Sequence, residues 1–483
     1  MPDIIAPAVI RGKIVSSDLV KFEGRNGEAS FYSPAPDRLI DMLPLRNPGD
    51  MRDLYTLSTA DIVDYLVELG TRLELGNNAF LQEALEQSYL MSDMTPPVLL
   101  SNYRELPKRF MRNGLLELAE AGVGIAYLDG WVTRKMHDGV MASIRAFGAR
   151  SLHIVAGNSP LVSAFTIARN AIIRGDAIIK TPSNDPLTSL AIARTMVDMA
   201  PDHPVTKHLS CAYWKGGTVA FEEKLYRPEN IEKIVAWGGM ASVKHVTRYI
   251  QPGLELISLD PKRSATIIGA EAFADPATMR EVAKRAAADV GSLNQLGCVN
   301  ARVIYVVTGS DDRGLERACA FARMLYESVQ SLPECVSTPA KRFDPELRSN
   351  IDSLRMSDDF YTIIGGRKNE GAVIVSHTAE PVDFYTSLSG RVANIIPIDT
   401  PQDAVKGINA WTQTIGIYPE SLKDQLQDIL PLYGAQRLVS LGYAIGASST
   451  GSQPQDSIEP LRRMVKWIVN ETMSPDEVAP LWG

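Results

Sequence analysis

From residue 151 onward, short apolar runs alternate with amphipathic stretches, and this rhythm restricts the fold more than any other feature of the chain. Ser151–Ala156 is apolar, ends in the turn Gly157-Asn158-Ser159-Pro160, and is followed by a helical stretch to about Arg174. Gly175-Asp176 breaks that helix, Ala177–Lys180 reads as the next strand, and Pro186 opens a helix to about Ala200. Further strands are expected at Leu209–Trp214, Lys233–Trp237, Leu254–Ser258 and Ala265–Gly269, with a helix over Ala241–Ile250. Strands separated by helices pair in parallel, so the fold class is α/β, with a sheet covered on both faces.

A second series follows. A helix at about 276–290 leads into a loop carrying Cys298, then a strand at Arg302–Val307 and a helix at about 312–330. After a polar stretch through about 359, strands are expected at Ala372–Ser376, Ala393–Ile396 and Thr414–Tyr418, with Pro397 closing the second. Pro261-Lys262-Arg263 interrupts the apolar runs, so the two sheets are divided near residue 262. Residues 1–60 read as irregular structure with a few strands. Ile62, Tyr65, Leu66 and Leu69 show the helical spacing that marks about 58–122.

A chain of 483 residues exceeds what one core usually serves, in keeping with two domains. Its net charge of −8 argues against nucleic acid as the main partner. No apolar run approaches the roughly 18 residues of a membrane span, and the first residues lack the pattern of an export signal. Cys211, Cys298, Cys319 and Cys335 are widely and irregularly spaced, so neither a disulfide framework nor a redox pair is expected. A reducing, cytoplasmic setting follows. The six histidines show no ligand spacing, and no metal is expected.

Three clusters carry side chains suited to chemistry. In His153-Ile-Val-Ala-Gly-Asn158-Ser-Pro160, an amide at the carboxyl end of a parallel strand points into the crevice where such sheets bind ligands. Asn158 there serves either as a donor to a developing oxyanion or simply as a helix cap. In Ala177-Ile-Ile-Lys180-Thr-Pro182-Ser183-Asn184-Asp-Pro186, the strand-end lysine and its turn suit ribose or phosphate oxygens, and equally suit a plain strand–turn–helix link. In Gly291-Ser-Leu-Asn-Gln-Leu-Gly297-Cys298-Val-Asn-Ala-Arg302, a small polar loop presents a thiol to substrate. The alternative is an inert buried cysteine.

Taken in order, these clusters resemble the aldehyde dehydrogenase superfamily. His153 through Pro186 is similar to the run written PWNFP…LKPSE…P, with Asn158 at the asparagine and Lys180 at the lysine. Ile234-Val-Ala-Trp237-Gly238-Gly239 resembles the FTGS segment, whose helix N-terminus faces the cofactor pyrophosphate. Asn294-Gln295-Leu-Gly-Cys298 resembles the nucleophile loop, and the gap of about 140 residues from Asn158 fits. Two departures narrow the family. The glutamate of ELGGK, which activates water, falls on Ser258, and EIFGP becomes Ser387-Leu388-Ser389-Gly390-Arg391. Both point to the LuxC-type acyl-CoA reductases, as do Trp411-Thr-Gln-Thr-Ile-Gly416 and the run Leu461–Trp467. Where that branch usually reads PHDG, this chain has Pro454-Gln455-Asp456-Ser457.

The resemblance implies an aldehyde dehydrogenase-like fold, with a Rossmann-type cofactor domain over 1–262 and a catalytic domain over 263–440. An arm at about 123–150, with Ile125, Tyr127 and Trp131 alternating, and a returning segment over 441–483 would serve a homodimer or tetramer. It also implies NADPH-dependent reduction of a fatty acyl-CoA or acyl-carrier thioester to an aldehyde. Cys298 would be the acylated nucleophile, Asn158 the oxyanion donor, and Lys180, Ser183, Gly238 and Gly239 the cofactor contacts. NADPH is expected over NADH, because Ser183 stands where NAD-preferring members carry a glutamate. The alternatives are a hydrolytic aldehyde dehydrogenase, with Glu255 the nearest carboxylate, and a weakly catalytic scaffold subunit of an acyl-transfer complex. Product analysis separates the three.

Overall fold

The structure, a computed structural model, describes residues 3–27, 29–137, 139–446, 458–473 and 482. Pro454-Gln455-Asp456-Ser457 lies outside them. The chain divides into two units: Met1–Met91 with Asn102–Asp260 and Ser448–Gly483, and Ser92–Ser101 with Pro261–Ala447.

The first unit is built on five parallel strands, β1 (Arg150–Ile154), β2 (Asp176–Lys180), β3 (Leu209–Ala212), β4 (Lys233–Trp237) and β5 (Glu255–Leu259), in the order β5-β4-β1-β2-β3. Ala8–Ile10 and Lys13–Val15 extend the β3 edge in antiparallel fashion. The chain leaves β1 toward β2 and leaves β4 toward β5 on the opposite side. β1 and β4 therefore flank the point where the winding reverses, and such a sheet opens a ligand crevice beyond its strand ends there. Leu152, Ile178, Ala212, Trp214 and Ile234 pack one face of this sheet. Helix formation upstream is locally encoded. Ser58 and Asp61 form a reciprocal capping box, and the following helix Thr59–Arg72 buries Ile62, Val63, Tyr65, Leu66 and Leu69.

A three-stranded antiparallel sheet in the same unit joins Val132–Lys135, Met141–Gly148 and Val465–Thr472. Its central strand pairs with the C-terminal strand of the same chain, Val465 opposite Gly148 through Thr472 opposite Met141. The alternation expected from Ile125 is corrected: Ile125–Asp129 is a short helix. Gly124 enters it at φ 96°, and Tyr127 turns its ring toward Trp467, 5.5 Å away. The run Leu461–Trp467 anchors this returning strand, because Arg462 donates to the Gly122 carbonyl and Arg463 to Glu255 and the Leu256 carbonyl.

The second unit carries β6 (Arg263–Ile268), β7 (Ala301–Val307), β8 (Ala372–Ser376), β9 (Val392–Ile398), β10 (Thr412–Tyr418) and β11 (Arg437–Ser440), ordered β8-β9-β7-β6-β10-β11 and all parallel. Tyr361–Gly365 adds an antiparallel strand beside β8. Helices α1 (Pro276–Gly291) and α2 (Asp312–Gln330) cover one face, each started by an aspartate that accepts backbone N–H bonds: Asp275 from Ala277 and Thr278, Asp311 from Gly314. Val282, Ala286, Phe321, Leu325 and Val329 meet Ile304, Val306 and Ile395 in the core beneath them. Pro397 does not close its strand. β9 runs through it to Ile398, paired with β7, whereas its ladder to β8 ends at Ile395. A residue without an N–H is tolerated beyond the end of a ladder. The polar stretch before 359 contains a helix, Pro345–Leu354, that buries only Leu347 and Ile351.

Candidate active site

The first unit gathers four of the six expected site residues, together with Asn158, around one end of its sheet; the sixth, Cys298, lies in the second unit. Asn158 follows β1 and Gly238-Gly239 follow β4, so these residues flank the winding reversal. Lys180 ends the neighbouring β2, and Ser183 lies in its turn. The loops are held close together. A Cβ on Gly157 would lie 2.0 Å from Asn184 Oδ1, and Asn184 Nδ2 donates to the Gly157 carbonyl at 2.9 Å. A side chain at 157 would push the Asn184 amide and Pro182 aside. The hydroxyl of Ser159 accepts from the Leu161 N–H at 3.3 Å at the entrance of the helix Leu161–Ile172. His153 is buried against Ser151, and burial pushes its pKa down to about 4, so it is neutral at ordinary pH.

The donor set around this crevice fits a dinucleotide. The Lys180 ammonium lies over the rings of Tyr213 and Trp214, 5.7 and 5.6 Å from their centroids, with no ion pair among the described residues. Burial pushes its pKa down to about 8, while the nearby Glu222 charge works in the opposite direction. Gly239 precedes the helix Met240–Thr247, and a Cβ built on it meets nothing within 4 Å. A helix N-terminus with open space before it suits a pyrophosphate. Asp185 does not share the Ser183 position. It is buried and accepts from the Thr188 hydroxyl and N–H at 2.6 and 3.2 Å.

In the second unit, α1 delivers the chain into a turn unlike any helix. Leu293, Asn294 and Gln295 take φ values of 54°, 55° and 62°, three successive non-glycine residues in the left-handed region. Such strain persists only where surrounding bonds over-determine it. Gln295 Nε2 donates to the carbonyls of Ala301 and Val392 at 2.9 and 2.8 Å, and its Oε1 accepts from the Val392 N–H at 2.9 Å. Asn294 bonds Thr95 and the Thr338 N–H. Asn300 accepts from the Gly297 N–H and donates to the carbonyls of Asp289 and Ser292.

Cys298 follows this turn, half-buried, just before β7. Its carbonyl accepts from the Ser264 hydroxyl at 2.8 Å, and that hydroxyl oxygen in turn accepts from the Thr414 N–H at 3.2 Å. That link explains the run Trp411–Gly416: it forms β10 beside β6 and reaches the cysteine through Ser264. Ser264 did not stand out in the sequence, because a strand partner far along the chain leaves no local periodic signal. Arg302 ties the turn from below, donating to the carbonyls of Asn300, Gly297, Gln295 and Leu388. Of the other cysteines, Cys211 is buried and its pKa pushed well up by burial.

Glu255, the carboxylate considered for water activation, is corrected. It opens β5, at the end of the sheet opposite the crevice, and is paired with Lys233 at 2.6 Å and Arg463 at 2.9 Å. Burial opposes its charge, but these partners hold its pKa below the ordinary value. Ser258 donates its hydroxyl to Asp260. Among the described residues no cluster of three metal-ligating side chains occurs, and no helix is long and apolar enough to cross a membrane.

Comparison with known proteins places this geometry. Residues 55–467 match the family model described as acyl-CoA reductase (LuxC). A long-chain acyl-protein thioester reductase of Vibrio harveyi is 24% identical over 96% of this chain and 93% of its own length. One from Photorhabdus laumondii is 27% identical over 75% and 72%. Among solved structures, the NADP-dependent glyceraldehyde-3-phosphate dehydrogenase of Bacillus halodurans in complex with NADP superimposes with a TM-score of 0.73 at 13% identity, covering 97% of this chain and 99% of that one. The NAD-dependent benzaldehyde dehydrogenase of Corynebacterium glutamicum does so at 0.71 and 14%, over 97% and 98%. The fold is thus aldehyde dehydrogenase-like, and the chain, an oxidoreductase, belongs to the LuxC family of acyl-CoA reductases.

Proposed function

We propose that this enzyme reduces a fatty acyl thioester, carried on CoA or on a protein, to the aldehyde through an acyl group held on Cys298. The observation that carries the reading is the strained turn, fixed by buried side-chain amides, that leads into a half-buried cysteine just before β7. The Cys298 thiolate attacks the thioester carbonyl. Asn158 and the Cys298 N–H are the donors that the resemblance assigns to the developing oxyanion. Collapse expels the donor thiolate, a leaving group that needs no general acid. When bound, the nicotinamide cofactor supplies the hydride. With Ser258 at the position of the water-activating glutamate, hydrolysis to the acid is disfavoured. Following NADPH oxidation against a panel of acyl-CoA lengths, with the product identified as aldehyde, tests the reading. Acid formed from aldehyde would contradict it.

NADPH is the preferred donor in this reading. Ser183 donates to a 2′-phosphate oxygen where a glutamate would repel it, and Lys180 adds positive charge nearby. A charge-assisted hydrogen bond contributes roughly 1.5–3 kcal/mol, about tenfold or more in kcat/KM. Ser183→Glu is expected to weaken NADPH use far more than NADH use. A wild-type preference for NADH would refute the assignment.

The working form is a homodimer or a dimer of dimers. Supporting this, the three-stranded sheet exposes Trp467, Ile468 and Val469, with Trp131 exposed just before its first strand, and its edge strands offer unpaired backbone groups. A light-scattering mass of one 52.8 kDa chain at micromolar concentration would contradict it.

A further inference from the structure

Glu222 is sealed within the first unit, its side chain only 1% exposed. It lies on the helix Val219–Leu225, where Phe221 and Leu225 are buried with it. A third apolar side chain would pack there as well, whereas a carboxylate taken out of water persists only with hydrogen-bond donors around it. Glu222 gathers such donors from three other segments of the crevice wall. His245 Nε2 and the Tyr249 hydroxyl reach its Oε2 at 2.7 and 3.0 Å. The Gly217 N–H and the Tyr226 hydroxyl reach its Oε1 at 3.2 and 3.5 Å. A carboxylate only accepts, so the hydrogen in the first of these bonds sits on His245.

The cluster ties the two flanks of the crevice together. Trp214, whose ring lies under the Lys180 ammonium, donates through Nε1 to the Tyr226 hydroxyl at 3.4 Å. On the other flank, His245 belongs to the helix Met240–Thr247 that Gly238-Gly239 introduce, and Tyr249 follows it. That helix has little else to hold it, since Val243 and Val246 are its buried residues and its first turn is exposed. Two valines on one face leave a short helix free to roll. His245 and Tyr249, one turn apart, supply the second line of contact that stops it. The leading N–H groups of a helix have no intrahelical acceptor and point along its axis, so their aim is the aim of the helix.

We propose that Glu222 and His245 are positioning residues for the cofactor: their pairing fixes the helix Met240–Thr247 so that its leading N–H groups face the pyrophosphate. Glu222 acts from within the core, through His245, and is not itself a contact of the nucleotide. The inference rests on the reading of the crevice as a dinucleotide site, and its test reads binding rather than turnover.

Full-length enzyme is titrated by calorimetry with NADPH or NADH, whichever the wild type binds more tightly. The matching fragment without pyrophosphate, 2′-AMP or adenosine, is titrated beside it. His245 is partly exposed, so its variants should unfold at the wild-type temperature. His245→Ala is expected to weaken the dinucleotide about tenfold, the scale of one hydrogen bond to a charged group, and to leave the fragment unchanged. His245→Gln keeps a donor toward Glu222 and should recover most of that loss. Glu222→Gln keeps an acceptor oxygen without the charge, so it should fall between the two. Equal weakening of dinucleotide and fragment, as a general loosening of the unit would give, overturns the proposal. So does full dinucleotide affinity in His245→Ala. Wild-type enzyme that binds neither NADPH nor NADH would instead overturn the cofactor reading of the crevice.

Discussion

Cys298→Ala is expected to lower kcat by about 10⁴-fold or more, on the scale seen when a covalent nucleophile is removed from other enzymes. Nucleotide binding should be preserved, since Lys180, Ser183, Gly238 and Gly239 belong to the first unit. Steady-state turnover with acyl-CoA measures the first effect, and NADPH fluorescence titration the second. The control is Cys211→Ala, Cys319→Ala and Cys335→Ala, each expected to retain most activity. Cys211 is sealed in the core, and neither of the others lies on a turn built like that of Cys298. Loss of activity in one of those variants, with Cys298→Ala still active, would move the chemistry elsewhere.

Gln295→Ala is the second large effect expected. The amide is buried, and its removal leaves the carbonyls of Ala301 and Val392 and the N–H of Val392 without their partner. Each unsatisfied buried group costs about 1–3 kcal/mol. The same amide also opposes the strain of three left-handed residues. The turn should therefore relax and shift the thiol, and a misplacement near 1 Å costs about 10²-fold in rate. Thermal unfolding should move to lower temperature together with the loss of kcat. Gln295→Glu retains the size but cannot donate to the two carbonyls, so it should fall close to alanine. A Gln295→Ala enzyme with wild-type stability and turnover would show that Asn294, Asn300 and Arg302 hold the turn without it.

Much of this fold was legible because its signals are periodic and local. The strands around Ile178, Ile234 and Ile304 are continuous apolar runs between turns, and the helix ending in Gln330 repeats apolar residues at helical spacing under an aspartate cap. Elements with little buried surface were not legible in this way. The helix Pro345–Leu354 buries two side chains, so its pattern is lost in polar sequence, and Ile125–Asp129 is too short to display a period. Pro397 misled because tolerance of a missing N–H depends on where a neighbouring ladder stops. Within the candidate site, Cys298, Asn158 and Lys180 stand at turns that follow the pattern, whereas Ser264 matters only through pairing across the sheet. Such pairing has no signature in a single chain.

The proposed chemistry turns on one covalent bond, between the acyl group and Cys298. Enzyme mixed with a long-chain acyl-CoA in the absence of cofactor, then digested under acidic conditions, should show one acyl mass in thioester linkage on the peptide containing Cys298. Later addition of NADPH should remove it and release aldehyde. Full labelling that persists in Cys298→Ala, or an acyl-enzyme that NADPH leaves untouched, would contradict the account.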